Sequence, residues 1–209
     1  MFICLEGIDG AGKTTQAQQL VSNLKDRGYS AEFVHDPGTT PAGLAIRHIL
    51  LGVDRLAISP ATQLLLFSAA RAELSEYIKR KLAEDTIIVC DRWFLSTLVY
   101  QATLNSQPVE LISTIYDATA VSPDIYFVLD LAPEVAWARR PVARDRYEAA
   151  NMEDKQRMRA AYLEHSAMLD EVFVIDASAS QDFIEHRILE IVEPMLTCHR
   201  RHHAKYVNS

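Results

Sequence analysis

The residues that most clearly could do chemistry lie near the start of the chain, in the segment Gly7-Ile8-Asp9-Gly10-Ala11-Gly12-Lys13-Thr14. Glycines at this spacing let successive backbone N–H groups turn around an anion, which side chains would obstruct. Lys13 can then reach the β- and γ-phosphates, and the Thr14 hydroxyl can ligate Mg²⁺. The pattern therefore predicts a loop that binds a nucleoside triphosphate through Gly7, Asp9, Gly10, Ala11, Gly12, Lys13, Thr14 and Thr15.

The residues on either side of this loop supply the context that it requires. Phe2 to Leu5 is a short apolar run, typical of a buried parallel strand. The segment from Thr15 to Leu24 carries apolar residues at helical spacing. The alternative, a glycine-rich turn at the start of a helix without a ligand, is disfavoured by this strand–loop–helix order.

Strands and helices alternate along the rest of the chain, which predicts an α/β fold with a five-stranded parallel sheet covered by helices on both faces. Further strands are predicted at 31–35, 86–90, 125–129 and 172–176. Helices are predicted at 44–51, 60–83, 95–103, 108–120, from 133, 152–169 and 181–196. The helix at 60–83 is predicted to begin with Ser59 as its N-cap and Pro60 as its first residue. Residues 1–198 form one expected domain, and residues 199–209 are expected to be a frayed, basic, histidine-rich tail.

Composition and charge exclude several classes of partner. Of the 209 residues, 21 are basic and 28 are acidic, a net charge of −7, which argues against a nucleic-acid polymer as partner. No stretch has the length and apolar character of a membrane span, and the opening residues predict no secretory signal. The three cysteines have no metal-binding spacing, which favours reduced thiols in a cytoplasmic protein.

Several carboxylates follow the predicted strands, at the sheet edge where ligands of parallel α/β proteins bind. Asp91 is the best candidate for a Mg²⁺ ligand, since Arg92 beside it can contact a phosphate at the same place. Asp130 and Asp176 are interpreted as helix N-caps or solvated loop residues.

Arginines near these loops indicate phosphoryl transfer. Arg47, Arg71 and Arg92 lie near the same sheet edge, and four more arginines cluster between residues 139 and 146. Forked guanidinium groups neutralise the negative charge that spreads over a transferring phosphoryl group. The alternative is that they only solubilise the surface, which fits any single arginine better than it fits the cluster.

At this point the sequence resembles the thymidylate kinase family over nearly the whole chain. The phosphate loop, the Asp36-Pro37-Gly38-Thr39 turn and the Asp91-Arg92-Trp93 segment are similar to motifs of that family. Further similar segments are Ile46–Leu51, Leu65–Arg71, Ser96-Thr97 with Tyr100-Gln101, Arg144–Glu148 and Arg159–Leu163.

The resemblance implies a P-loop NTPase fold, ATP as phosphoryl donor with Mg²⁺, dTMP as acceptor and a homodimer. It implies that Asp9 faces the sugar hydroxyl, that Arg47 and Arg92 bind the acceptor phosphate and that Tyr100 disfavours ribonucleotides. Phe67 would stack on thymine, with Arg71 and Thr97 at its edge. The implied sets are Lys13, Arg92, Arg144 and Arg146 for catalysis, Thr14 and Asp91 for the metal, and Asp9, Asp36, Arg47, Phe67, Arg71, Arg92, Ser96, Thr97 and Tyr100 for the acceptor.

The chain departs from the family pattern in the Asp36 turn, where Thr39 also replaces the second glycine, in the lid, and at Gly10, where some relatives carry an arginine. Asp36 stands where the family has glutamate, after His35 where arginine is frequent, so the role of this shorter carboxylate is open. The predicted lid, about 139–148, is shortened and contains Pro141, which leaves open which of its arginines acts.

Other functions remain as alternatives at this level. The acceptor could be another deoxynucleoside monophosphate or a nucleoside, although a nucleoside hydroxyl needs a general base and a phosphate acceptor needs cations. A regulatory GTPase would need a guanine-reading Asn/Thr-Lys-x-Asp segment, and the sequence contains none.

Overall fold

The computed structural model describes residues 1–51, 56–139 and 151–207, with side chains described as far as residue 196. Its five strands are β1 Phe2–Glu6, β2 Ala31–His35, β3 Ile87–Asp91, β4 Ile125–Asp130 and β5 Val172–Asp176. All neighbouring strands are parallel, in the order β2-β3-β1-β4-β5, which confirms the predicted five-stranded parallel sheet. Strands β1 and β3 are wholly buried, as their apolar runs predict.

The helices cover both faces of this sheet. They are α1 Lys13–Asp26, α2 Pro41–Leu51, α3 Pro60–Ala83, α4 Phe94–Thr97, a π-helix Leu98–Leu104, α5 Val109–Thr119, α6 Pro133–Arg139, α7 Met152–Ser166 and α8 Gln181–Val207. Helices α1 and α8 pack on one face, and α3, α5 and α7 pack on the other. None of the helices in the described ranges has the length and apolarity needed to cross a membrane.

The strand order creates a crevice between β1 and β3. The chain leaves β1 in one direction toward β2 and later returns through β3 to β4 on the other side of β1. Ligands of open parallel sheets bind at such a reversal, outside the carboxyl ends of the strands. Leu5 of β1 pairs with Asp91 of β3, so the phosphate loop and the Asp91-Arg92 segment leave the sheet side by side.

Three helix predictions were wrong in detail, each for a physical reason. Helix α2 begins at Pro41 rather than residue 44, because the Thr40 hydroxyl accepts the backbone N–H of Gly43 at 3.0 Å. The helix predicted at 95–103 is a short α-helix continued by a π-helix. Helix α8 continues to Val207 instead of ending near 196, since no glycine or proline interrupts residues 195–207. Residues 199–207 belong to this helix.

Candidate active site

The phosphate loop turns between β1 and α1 around backbone that only glycine tolerates. Gly7 has a φ of 136°, and a Cβ there would lie 2.5 Å from the Leu129 carbonyl oxygen. The loop ends at Lys13, whose side chain is buried and whose Nζ donates to the Ile8 carbonyl at 2.9 Å. Burial and the nearby Arg92 lower the pKa of Lys13 to about 8.

The Mg²⁺ ligands suggested by the sequence lie together at the start of α1. Thr14 Oγ1 donates to Oδ2 of Asp91, and Oδ1 of the same carboxylate is buried without a partner among the described residues. An unpaired carboxylate oxygen beside a hydroxyl fits a hard cation that keeps water and phosphate ligands. Within the side chains that the structure describes, no group of three His, Cys, Asp or Glu could hold a metal alone.

Among the described cations of the site, Arg92 makes the most hydrogen bonds. Its backbone φ is 73°, a left-handed conformation that is uncommon outside glycine and that turns the chain toward the phosphate loop. Its guanidinium donates to the Asp9 carboxylate at 2.5 Å and to the Gly7 carbonyl at 3.2 Å. Burial raises the pKa of Asp9, but Arg92 and Lys13 outweigh burial and hold that pKa below its ordinary value.

Arg71 and Asp36 form a buried ion pair. The Asp36 carboxylate accepts from Nε of Arg71 at 2.8 Å, and one terminal nitrogen lies 2.7 Å from the same oxygen. That terminal nitrogen also donates to the Trp93 carbonyl at 3.3 Å, and the guanidinium lies over the Trp93 ring at 5.4 Å. Asp36 therefore fixes the orientation of Arg71, which gives the shortened carboxylate a definite contact.

A cavity of about 1020 Å³ joins these features. Of the predicted site residues it is lined by Asp9, Gly10, Ala11, Gly12, Lys13, Thr14, Thr15, Asp36, Arg47, Phe67, Arg71, Asp91, Arg92, Ser96, Thr97 and Tyr100. Gly7 is not among the lining residues and lies against the Leu129 backbone at the start of the loop. Arg144 and Arg146, with nearly all of the predicted lid, lie outside the described residues.

The predicted residues at the acceptor end converge from different elements. Arg47 on α2 donates to the Pro37 carbonyl at 2.8 Å, and half-buried Phe67 comes from α3. Tyr100 donates to Asp9 at 3.1 Å, and its ring lies 5.4 Å from the Arg92 guanidinium carbon. The Thr97 hydroxyl is buried with no partner among the described residues. An unpaired buried polar group beside a cavity is available to a ligand.

Sequence reasoning missed three site residues and mistook two others. Gln101 lines the cavity with its Nε2 unpartnered by any described group, one helical turn after Thr97. Glu6 and Tyr162 are buried and hydrogen-bonded to the Ser96 hydroxyl. The sequence signal for Glu6 was a single acidic residue at the end of the apolar β1 run. Asp130 is neither cap nor free loop residue, since it pairs with Arg159 at 2.6 and 2.8 Å. Asp176 is likewise neither a cap nor a loop residue, since it is the exposed last residue of β5 and accepts from the Ser178 N–H at 2.9 Å.

Comparison with known proteins decides the family. A sequence profile described as Thymidylate kinase matches residues 5–188. The chain belongs to the thymidylate kinase family. Thymidylate kinases of Symbiobacterium thermophilum and Thermosipho africanus are 40% and 37% identical to it, over 94% of this chain and 94% and 99% of theirs.

The three-dimensional comparison agrees. A crystal structure of thymidylate kinase from Ehrlichia chaffeensis superposes with a TM-score of 0.74 at 26% identity, covering 92% of this chain and 98% of that one. The P-loop NTPase fold and the resemblance read from the motifs are thereby confirmed. As a member of the thymidylate kinase family, the chain is a phosphotransferase of the nucleoside monophosphate kinase class.

Proposed function

We propose that this enzyme transfers the γ-phosphoryl group of ATP to dTMP, giving ADP and dTDP. The observation that carries the proposal is one cavity that is lined both by the phosphate loop and by Arg47, Arg71 and Arg92. Among the described cavity carboxylates, Asp9 and Asp36 are each paired with an arginine and Asp91 accepts from Thr14. Such a site suits an anionic acceptor better than a nucleoside hydroxyl, which needs a free general base.

The proposed reaction follows from the cations that line the cavity. An oxygen of the dTMP phosphate bonds to the γ-phosphorus of ATP while the bond from that phosphorus to the β–γ bridging oxygen breaks, and ADP leaves. Lys13 neutralises charge that grows on the β- and γ-oxygens, and Arg92 and Arg47 hold the acceptor phosphate in line. Thr14 and Asp91 would hold a bound Mg²⁺, which supplies further charge neutralisation at the donor phosphates.

Thymine recognition is proposed for the α3 side of the cavity. Phe67 offers a ring for stacking, and Arg71, oriented by Asp36, offers N–H donors to a thymine carbonyl. Cytosine presents an amino group at the corresponding position, so a fixed donor discriminates against it. Tyr100 is proposed to crowd the sugar 2′ position.

A panel of acceptors tests this specificity. ADP release with ATP and Mg²⁺ is measured against dTMP, its ribonucleotide, dUMP, dCMP, dGMP, UMP and thymidine. The proposal predicts the highest kcat/KM with dTMP. A higher value with any other acceptor would contradict it and identify the alternative.

The Arg71→Lys variant is expected to raise the KM for dTMP by about 10–100-fold, because hydrogen bonds to charged groups are strong and directional. Lysine keeps a positive charge beside Asp36, which protects the fold better than alanine would. The ratio of kcat/KM for dTMP over dCMP should fall as well. Arg80→Lys, on the exposed side of α3, is the matched control. An unchanged ratio in the Arg71 variant would mean that another residue distinguishes the bases.

The affinity for ATP is expected to fall as pH rises through about 8, the pKa of Lys13 in the free enzyme. Folding lowers this pKa, so the lysine is charged below pH 8 and neutral above it, whereas a bound triphosphate favours the charged form. Above pH 8 binding must take up a proton, which weakens it by about tenfold per pH unit. Calorimetric titrations from pH 7.5 to 9.5 measure this slope. Lys13→Arg should abolish the slope, and an equal slope in both proteins would contradict the assignment.

We also propose that the enzyme is a cytoplasmic homodimer that associates through α2 and α3. Leu44 on α2 and Leu65 on α3 are 53% and 60% exposed, which is apolar surface that a second copy would bury. The buried free thiols of Cys4 and Cys90 support a reducing compartment. Light scattering should give the mass of two chains, and Leu65→Glu should give the mass of one. A wild-type protein with the mass of one chain would contradict the dimer.

A further inference from the structure

A chain of buried hydrogen bonds runs from Glu6 to the site. Glu6 ends β1 with its side chain fully buried. One of its oxygens accepts the backbone N–H groups of Trp93 at 2.7 Å and Ser96 at 3.2 Å, and the other accepts the Ser96 hydroxyl at 2.6 Å. Because backbone N–H groups only donate, the first oxygen is an acceptor, and in the ionised carboxylate the second oxygen accepts the Ser96 hydroxyl hydrogen.

Tyr162 of α7 extends the chain to Arg92. Its hydroxyl lies 2.9 Å from the Ser96 hydroxyl and 2.8 Å from NH1 of Arg92. The same nitrogen lies 3.1 Å from the Ser96 hydroxyl. Ser96 of α4 and Tyr162 of α7 therefore contact one terminal nitrogen of the guanidinium, Glu6 of β1 reaches it through Ser96, and Asp9 holds the other terminal nitrogen.

The direction of these hydrogen bonds follows from the hydrogen count. Ser96 and Tyr162 each have one hydroxyl hydrogen. Ser96 gives its hydrogen to the Glu6 carboxylate, so the Tyr162 hydrogen is the one that lies between the two hydroxyls. The lone pairs left on both oxygens face Arg92, which can only donate. A protonated or amidated Glu6 would present a hydrogen to Ser96 and reverse this order.

We infer that Glu6, Ser96 and Tyr162 are positioning residues that hold the Arg92 guanidinium in the orientation required by the acceptor phosphate. This inference rests on the proposed function and extends it, since neither Glu6 nor Tyr162 lines the cavity. Ser96 lines the cavity but also orients Arg92, because its hydroxyl donates to Glu6 and accepts from the guanidinium. Because Arg92 is proposed to bind the acceptor phosphate, the three residues are expected to act mainly on that phosphate.

A comparison of dTMP with thymidine distinguishes this positioning role from a merely structural one. Thymidine and dTMP share base and sugar and differ by the phosphate. Loss of positioning should therefore weaken dTMP binding by about tenfold and leave thymidine binding unchanged. General damage to the pocket would weaken both ligands together.

The test titrates wild-type enzyme and variants with dTMP and with thymidine by calorimetry, without ATP. Tyr162→Phe and Ser96→Ala should each lower the ratio of dTMP to thymidine affinity by about tenfold, with less than additive loss in the double variant. Ser96→Thr should restore the ratio, and Glu6→Gln should lower it by reversing the bonds. Tyr77→Phe is the matched control, since it loses a hydroxyl bonded to Glu32 outside the cavity.

The outcomes separate this inference from the proposed function. If wild-type enzyme binds dTMP more tightly than thymidine and Tyr162→Phe keeps the wild-type ratio, or weakens both ligands equally, the positioning role is wrong and the function stands. If wild-type enzyme binds neither ligand, the proposed function fails first, and this inference falls with it.

Discussion

The Lys13→Ala variant is expected to lose at least about 10²–10³-fold in kcat while remaining folded. Lys13 supplies positive charge at the phosphate oxygens on which negative charge grows during transfer. Its side chain is buried at the end of the phosphate loop. Folding lowers its pKa, which means that the charged form is disfavoured in the folded protein. Its removal should therefore leave the free energy of unfolding little changed.

Steady-state turnover and thermal unfolding measure the two halves of this prediction. Lys25→Ala is the matched control, because Lys25 is an exposed lysine of the same helix. We expect wild-type turnover in the control and unfolding midpoints within about 2–4 °C for both variants. A folded Lys13→Ala protein with normal turnover would remove the phosphate loop from the mechanism.

The Arg92→Ala variant is expected to lose at least about 10³-fold in kcat/KM for dTMP, the loss expected when a cation that stabilises transferring phosphate is removed. The change deletes the arginine partner of Asp9 together with the contacts to Gly7 and Tyr162. Asp9, which keeps only the hydrogen bond from the neutral Tyr100 hydroxyl, then adds repulsion toward the acceptor phosphate. Both effects fall on the acceptor side, so the KM for ATP should change far less.

Two further variants separate charge from geometry at this position. Arg92→Lys keeps one positive charge without the fork, and we expect it to recover only part of the loss because a single ammonium cannot replace two terminal nitrogens. Asp9→Asn in the Arg92→Ala background should recover some dTMP affinity by removing the repulsion. A loss confined to the KM for ATP would contradict the placement of Arg92 on the acceptor.

Local features of the site could be predicted from the sequence because they depend on near neighbours. The glycines, Lys13 and Thr14 act within one strand–loop–helix unit, and spacing alone defines them. Asp91 and Arg92 were predicted to lie together at the ligand-binding edge of the sheet, because both directly follow a predicted buried strand. The cap of α3 was predicted correctly as well, since Ser59 accepts the Thr62 N–H at 3.1 Å.

Long-range partners could not be predicted in the same way. Asp36 and Arg71 are 35 positions apart, and only the packing of α3 beside β3 brings them together. Tyr162 reaches Arg92 across 70 positions, through a contact that no periodicity indicates. The α2 start was missed because the Thr40-Pro41 signal was not used, although the same signal at Ser59-Pro60 was.

The central claim, that the enzyme transfers the γ-phosphoryl group of ATP to dTMP, is tested most directly with a radioactive label. The enzyme is given dTMP and ATP labelled in the γ-phosphate, and the products are then separated. Wild-type enzyme with Mg²⁺ should give label in dTDP in amounts equal to the ADP formed, and Lys13→Ala should give almost none. Label found only in inorganic phosphate would indicate a hydrolase. Label found in dTMP when thymidine is offered, but not in dTDP when dTMP is offered, would identify a nucleoside kinase and contradict the proposed acceptor.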